Sequence, residues 1–430
     1  MNLRSCTLIA LCLLVFLPVR GKQLPEKLDR YIDSVMRAGL DRGYYPGASV
    51  AIGNRNGLLF ERCYGHQDAE RKIPVCTEDL YDLASCTKIV ATTLAVMHLY
   101  DRKEIDINKR VGDYLPDFRG TVVDGIMLSQ LLTHTSGLTN IQPYKILYRN
   151  PCGDPLLSYR RSADYPFHVD KSTYLCRNMV ADSLFLSATP QKGFRTVCSR
   201  LYVNPAVDTL LTGEIVRSYR PANRGRYLYS DLNFHVLKMV IERITGQRLD
   251  RYVRPLYDRM DMHNTGFRPY EWKDSLHIVP TENDLLMRRG PLRGYTHDEL
   301  AALSDNVGGN AGLFSCASDL SHFCEMILNR GVYRGTRILS SATVTLFTSS
   351  PLRPKGIYRA LGFDRRAPSS PLYDGFGHTG YTGTMIWIDP GRDLFLVFLS
   401  NRVHPSRTNR GLIASGLRTK LWEELKKSFE

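Results

Sequence analysis

Ser85 and Lys88 stand three residues apart in the stretch DLASCTKIV, just ahead of an apolar run compatible with a helix. One helical turn puts both on one face, within reach of each other. The serine hydroxyl would sit at the positive end of the helix dipole. Burial and that dipole end both disfavour an ammonium at Lys88, so a neutral amine is expected there, ready to accept the serine proton. A Ser-x-x-Lys arises by chance roughly once or twice in a chain this long, so the reading needs partners elsewhere. Two stretches provide them. YLYSDLNF offers Tyr229, Ser230 and Asp231 at the start of a helix, and GFGHTGYTGT offers His378, Thr379, Gly380 and Tyr381 on a strand. Tyr229 could relay a proton to a leaving group. A backbone N–H at Tyr381, beside that of Ser85, could hold an oxyanion, with each donor worth about 2.7–4 kcal/mol. Gly380 would let a substrate lie close against the strand.

The elements that must position these groups are legible in outline. LPEKLDRYIDSVMRAGL reads as an amphipathic helix with Leu28, Ile32, Val35 and Met36 on one face. Two short apolar runs around Asn56-Gly57 predict a hairpin, and a second hairpin is expected around Pro390-Gly391. A closing helix carries Leu417, Leu421, Leu425 and Phe429 in register. Strands cluster at both ends of the chain and helices fill the middle. The expected fold is therefore α/β (α+β): an antiparallel sheet built from both termini, flanked by helices. A sheet domain over 22–102 and 305–430 would enclose a mainly helical insertion over 103–304. Within it, 139–226 is irregular and reads as a partly ordered cover.

Taken in order, these motifs resemble those of the serine β-lactamase and penicillin-binding-protein superfamily, in the branch of class C β-lactamases, D,D-peptidases and related esterases. A Ser-x-x-Lys helix followed by a Lys-Thr-Gly strand is that superfamily's recognised pattern. PGASVAI, LLTHTSGL, ITGQRLDRYV, DRMDMHNTGF and GGNAGLFSCASDL agree in order across nearly the whole chain. PTEND, RGYTHDE and GGNAGLFS resemble a narrower group associated with glycosidases that trim peptidoglycan. The resemblance implies a β-lactamase/transpeptidase-like fold, Ser85 as nucleophile with Lys88 and Tyr229, and a substrate-binding edge at Asp231 and 378–381. Glu282 and His297 fall in the narrower group's stretches as candidate pocket-lining residues. Two departures stand out. Asp231 replaces the usual Asn and could pair with Lys88, and His378 replaces the Lys whose charge would meet a penicillin carboxylate.

The bulk properties narrow the setting. The 430 residues are 43% hydrophobic and 23% charged, an ordinary globular composition. MNLR, an apolar run from Thr7 to Val19 and then RGKQ read as a signal peptide over 1–21, which implies export to the periplasm or outside the cell. No later segment is apolar enough for a membrane helix. The net charge of +14 falls to +12 without Arg4 and Arg20, but the basic residues are dispersed and match no nucleic-acid module. Eight of the ten cysteines lie beyond the leader, with no Cys/His spacing suited to zinc. No cofactor or metal is expected. Mostly buried thiols are expected, any bridge falling among Cys152, Cys176 and Cys198. His134 and Cys86 read as structural, and Arg288, Arg289 and Arg293 as solvated or carboxylate-binding.

Two functional classes follow. One is an exported hydrolase forming an acyl-serine on peptidoglycan-derived amides, as a muropeptide amidase or D,D-peptidase, with a small-ester esterase or β-lactamase as the alternative. The other is a module that binds cell-wall peptides without turnover. An intact serine, lysine and tyrosine favour the enzyme.

Overall fold

A computed structural model describes residues 24–169 and 172–429, so the expected signal segment lies outside the described residues. The elements that frame the site are helix α1 (Glu26–Asp41), strands β1 (Gly47–Asn54) and β2 (Gly57–Gly65), and helices α2 (Leu94–Asp101), α3 (Leu232–Thr245) and α4 (Ala317–Leu328). Strands β3 (Asp364–Arg365), β4 (Phe376–Thr379), β5 (Met385–Asp389) and β6 (Leu394–Ser400) and helix α5 (Leu417–Ser428) complete them.

The strands form one antiparallel sheet in the order β3-β4-β5-β6-β1-β2. The two expected hairpins meet through β1 and β6, with Ala48 opposite Ser400 and Gly53 opposite Phe395. Period-two alternation fixes this register. Val50, Ile52, Trp387, Leu396 and Phe398 face α1 and α5, where Ile32, Met36, Leu421 and Trp422 are buried. Ala51, Ile386, Ile388, Val397 and Leu399 face the opposite core with Phe323 and Ile327 of α4. A one-residue slip would exchange the two faces and force each set of side chains into the other core, disrupting the packing of both. The fold is the expected antiparallel sheet flanked by helices.

Within the irregular 139–226 cover much of the order is strand. Between 148 and 203 it is made of short ladders, such as Leu157–Ser158 and Phe167–His168 on either side of Tyr174–Leu175. Two-residue strands are too short to leave a periodic signature. No bridge forms among Cys152, Cys176 and Cys198. All eight cysteines in the described residues are free, with Cys176 and Cys198 packed in the apolar core and Cys152 exposed.

Candidate active site

Ser85 lies on a 3₁₀ turn, Ala84–Cys86, that runs into a π-helical stretch, Lys88–Thr93, before α2 begins. The turn is built by Asp82. Its Oδ1 accepts the Ala84 N–H at 2.8 Å and its Oδ2 accepts the His297 N–H at 2.7 Å. Ala84 itself has φ 46°, strained for a residue with a side chain. From the other side, Thr382 and Thr384 donate to the carbonyls of Asp82 and Leu83 at 2.7 and 2.8 Å. The turn between β4 and β5 is thus fastened to the serine turn. Gly380 is needed for that approach, because a Cβ there would sit 2.4 Å from the Leu83 carbonyl oxygen. Its main constraint is contact within the protein rather than with a ligand.

Two groups converge on the serine. Lys88 Nζ is 2.9 Å from Ser85 Oγ, and the Tyr229 hydroxyl is 2.9 Å from the same oxygen. Lys88 also donates to Asp231 Oδ1 at 2.6 Å and to the Asn310 carbonyl at 3.0 Å. Its side chain has no solvent exposure. Burial works against the ammonium, but the charge and hydrogen bonds of Asp231, with Tyr229, outweigh it, and the Lys88 pKa is raised. The resting lysine is therefore charged, correcting the expectation of a neutral amine. Burial pushes the Tyr229 phenol up, although Lys88 pulls it the other way.

His134 fixes the tyrosine segment. Its ring stacks on Tyr229 with centroids 4.5 Å apart, and its Nδ1 accepts the Ser230 N–H at 3.2 Å. Asp231 is held through its own N–H, which donates to Asn140 Oδ1 at 2.6 Å. His378 is buried, and its Nδ1 lies 2.8 Å from the Thr379 carbonyl, fixing Nδ1 as the donor. Burial, with Arg359 and Lys88 nearby, lowers its pKa well below the ordinary value. It is neutral at pH 7 and brings no cation to the site.

Ser85, Tyr229, Asp231, Thr379, Gly380, Tyr381 and His297 line a cleft of about 560 Å³. Tyr381 is half exposed at its mouth. Glu282 is set back from this wall, with its Oε2 2.7 Å from His297 Nε2 and 2.7 Å from Arg407 Nη2. Burial opposes the Glu282 charge, but His297 and Arg407 bring the carboxyl down to about 2. Arg407 also reaches Glu299 at 3.0 Å and Asp284 at 3.6 Å, while Arg288 is buried against Asp284. Arg293 is occupied by Gln67 and the Ile278 carbonyl.

Arg407→Met is expected to lower stability by about 3–5 kcal/mol, because it strands buried carboxylates without their cation. Urea unfolding measures this. In the wild type the Glu282 pKa lies below its ordinary value, so its contribution is present above about pH 4.5 and fades as pH falls towards 2.

Several residues at the site had no role assigned by the sequence, although Asp298 falls within RGYTHDE and Asn310 within GGNAGLFS. Asp298 lines the cleft, where burial and the Asp231 charge push its carboxyl up to about 6. Asn140 stands two residues beyond LLTHTSGL, and Asn310 acts through its carbonyl, which no side-chain motif could report. Arg402 and Arg418 also line the cleft, donating to the carbonyls of Asn409 and Thr384 at 2.5 and 2.6 Å. Neither has a carboxylate partner among the described residues. Burial lowers both, Arg418 to about 10.

Residues 32–168 and 186–417 match the Beta-lactamase family, and the chain belongs to it. It is a serine hydrolase of the β-lactamase and penicillin-binding-protein superfamily. The chain is 27% identical over 415 residues to the N-acetylmuramyl-L-alanine amidase of Bacillus subtilis (strain 168), covering 88% of this chain and 81% of that protein. It is 26% identical over 433 residues to an Escherichia coli (strain K12) protein provisionally named D-alanyl-D-alanine carboxypeptidase, covering 90% and 86%. The crystal structure of a penicillin-binding protein homologue from Caulobacter crescentus shares the fold, with TM-score 0.64 and 15% identity over 95% of this chain and 99% of that one. Among the described residues no helix is long and apolar enough to cross a membrane.

Proposed function

We propose that the protein is an exported serine hydrolase that opens peptidoglycan-derived amides, foremost the bond between the lactyl group of muramic acid and alanine. The observation that carries the chemistry is the convergence of Lys88 and Tyr229 on Ser85 Oγ, each at 2.9 Å, within the cleft. The names of the amidase and carboxypeptidase relatives support the substrate class. So does Arg418, which is partly exposed in the cleft wall and has no carboxylate partner among the described residues to compete with the carboxylates of a muropeptide stem.

In the proposed reaction Ser85 Oγ attacks the amide carbon. Its proton passes to Lys88 Nζ as Lys88 gives one to Asp231 Oδ1, so the lysine stays charged throughout. The N–H groups of Ser85 and Tyr381 hold the oxyanion. The C–N bond breaks as Tyr229 protonates the leaving nitrogen, and the proton parked on Asp231 returns through Lys88 to the phenolate. Water then cleaves the acyl-serine by the same path in reverse. A penicillin is a poorer fit, since neutral His378 offers its carboxylate no charge.

Mass spectrometry of purified muropeptides tests the reading. The wild type is expected to release free stem peptide from the lactyl group, and Ser85→Ala none. Loss of only a terminal D-alanine would replace the amidase reading with a D,D-carboxypeptidase. Turnover of simple esters alone would replace it with an esterase.

A further inference from the structure

Cys76, Asp79 and His277 converge at a place that the hydrolase chemistry does not use. Cys76 Sγ lies 3.2 Å from Asp79 Oδ1 and 3.6 Å from His277 Nδ1, and that nitrogen lies 3.3 Å from the same Oδ1. Zinc bound tetrahedrally at ordinary bond lengths needs edges of about 3.3 Å between N and O and about 3.5 Å from S to either. The triangle already has nearly those dimensions. None of the three side chains lines the Ser85 cleft.

The trio is also braced as a binding site would be. Asp79 has no side-chain exposure, while Cys76 is exposed and His277 is 39% exposed, so an ion could enter and keep a solvent ligand. Gln67 Nε2 donates to Asp79 Oδ1 at 3.0 Å, and the Cys76 N–H donates to Oδ2 at 3.0 Å. Gln67 is in turn held by Arg293 and by the Leu276 carbonyl, giving the outer support that orients metal ligands. The backbone on the two sides is already joined, with Leu80 N–H donating to the His277 carbonyl at 2.8 Å. A thiolate, a carboxylate and a neutral imidazole carry two negative charges, which balance a divalent ion. Binding would release the Cys76 proton to solvent.

We infer that Cys76, Asp79 and His277 form a surface site for a borderline divalent transition metal, with zinc the best match. The expectation of no metal came from spacing along the chain, where His277 is remote from Cys76. The ion would clamp the segment leading into Asp82 and the serine turn to residues 275–278.

The test uses the whole chain, chelator-stripped and kept reduced. Cobalt(II) is expected to bind one-to-one with a near-ultraviolet thiolate charge-transfer band, and zinc to displace it. Cys76→Ser is expected to abolish the band, and His277→Gln to weaken binding at least ~10-fold. Zinc is expected to raise the melting temperature of the wild type and leave that of Cys76→Ser unchanged. No thiolate band in the wild type, or one that persists in Cys76→Ser, would overturn the site. Muropeptide turnover enters neither measurement, so the two proposals stand or fall separately.

Discussion

Ser85→Ala is expected to lower turnover by about 10⁴–10⁶-fold and to abolish labelling by a fluorophosphonate probe. The size follows from what is lost. In the proposed reaction every covalent step runs through Ser85 Oγ, which Lys88 and Tyr229 both contact at 2.9 Å. Without that oxygen the cleft has no other nucleophile placed between these two groups, and only binding and oxyanion stabilisation remain. Ser85 is partly exposed and its side chain is small, so the variant should fold with the wild-type melting temperature. Labelling that persists in Ser85→Ala would move the nucleophile elsewhere. It would also remove the basis for the acyl-serine pathway.

The second large effect concerns the charge on Lys88. Lys88→Arg is expected to slow turnover by about 10²–10⁴-fold, since a guanidinium cannot pass on a proton in this setting. Asp231→Asn tests the same pair from the other side. Burial alone lowers the Lys88 pKa, and Asp231 is the main influence that reverses it. Removing the carboxylate should therefore let the lysine titrate. The sign is definite: acylation by Asp231→Asn should rise with pH as Lys88 loses its proton, whereas the wild type needs no such deprotonation. An amide at 231 should also raise turnover of β-lactams relative to simple esters, because it supplies a donor for their side-chain carbonyl. Rapid-quench acylation rates across pH measure the first effect. Superimposable profiles for the two proteins would show that Asp231 does not set the lysine's charge.

The candidate catalytic groups were legible because they depend on local spacing. One turn separates Ser85 from Lys88, and Tyr229 and His378 each sit in a short string of residue types suited to the chemistry. The sheet was legible for a related reason. Alternation in β1, β5 and β6 assigns each residue to a face without reference to anything distant. The cover was legible only as an irregular stretch, since strands of two residues have no period to detect.

What the sequence determined by itself was a candidate nucleophile with its proposed helpers, the two-ended antiparallel sheet and the class of enzyme. The tertiary structure decided the state of those groups. Asp231 is 143 positions from Lys88 in the chain but 2.6 Å away in space, and that distance keeps the lysine charged. The same holds for Arg407 among Glu282, Asp284 and Glu299, and for Cys76 and Asp79 beside His277. Gly380 is required because the folded strand presses against the Leu83 carbonyl. Residue types and short-range periodicity are written along the chain. Coulomb energies and close contacts depend on separations through space and on burial, and only folding sets those.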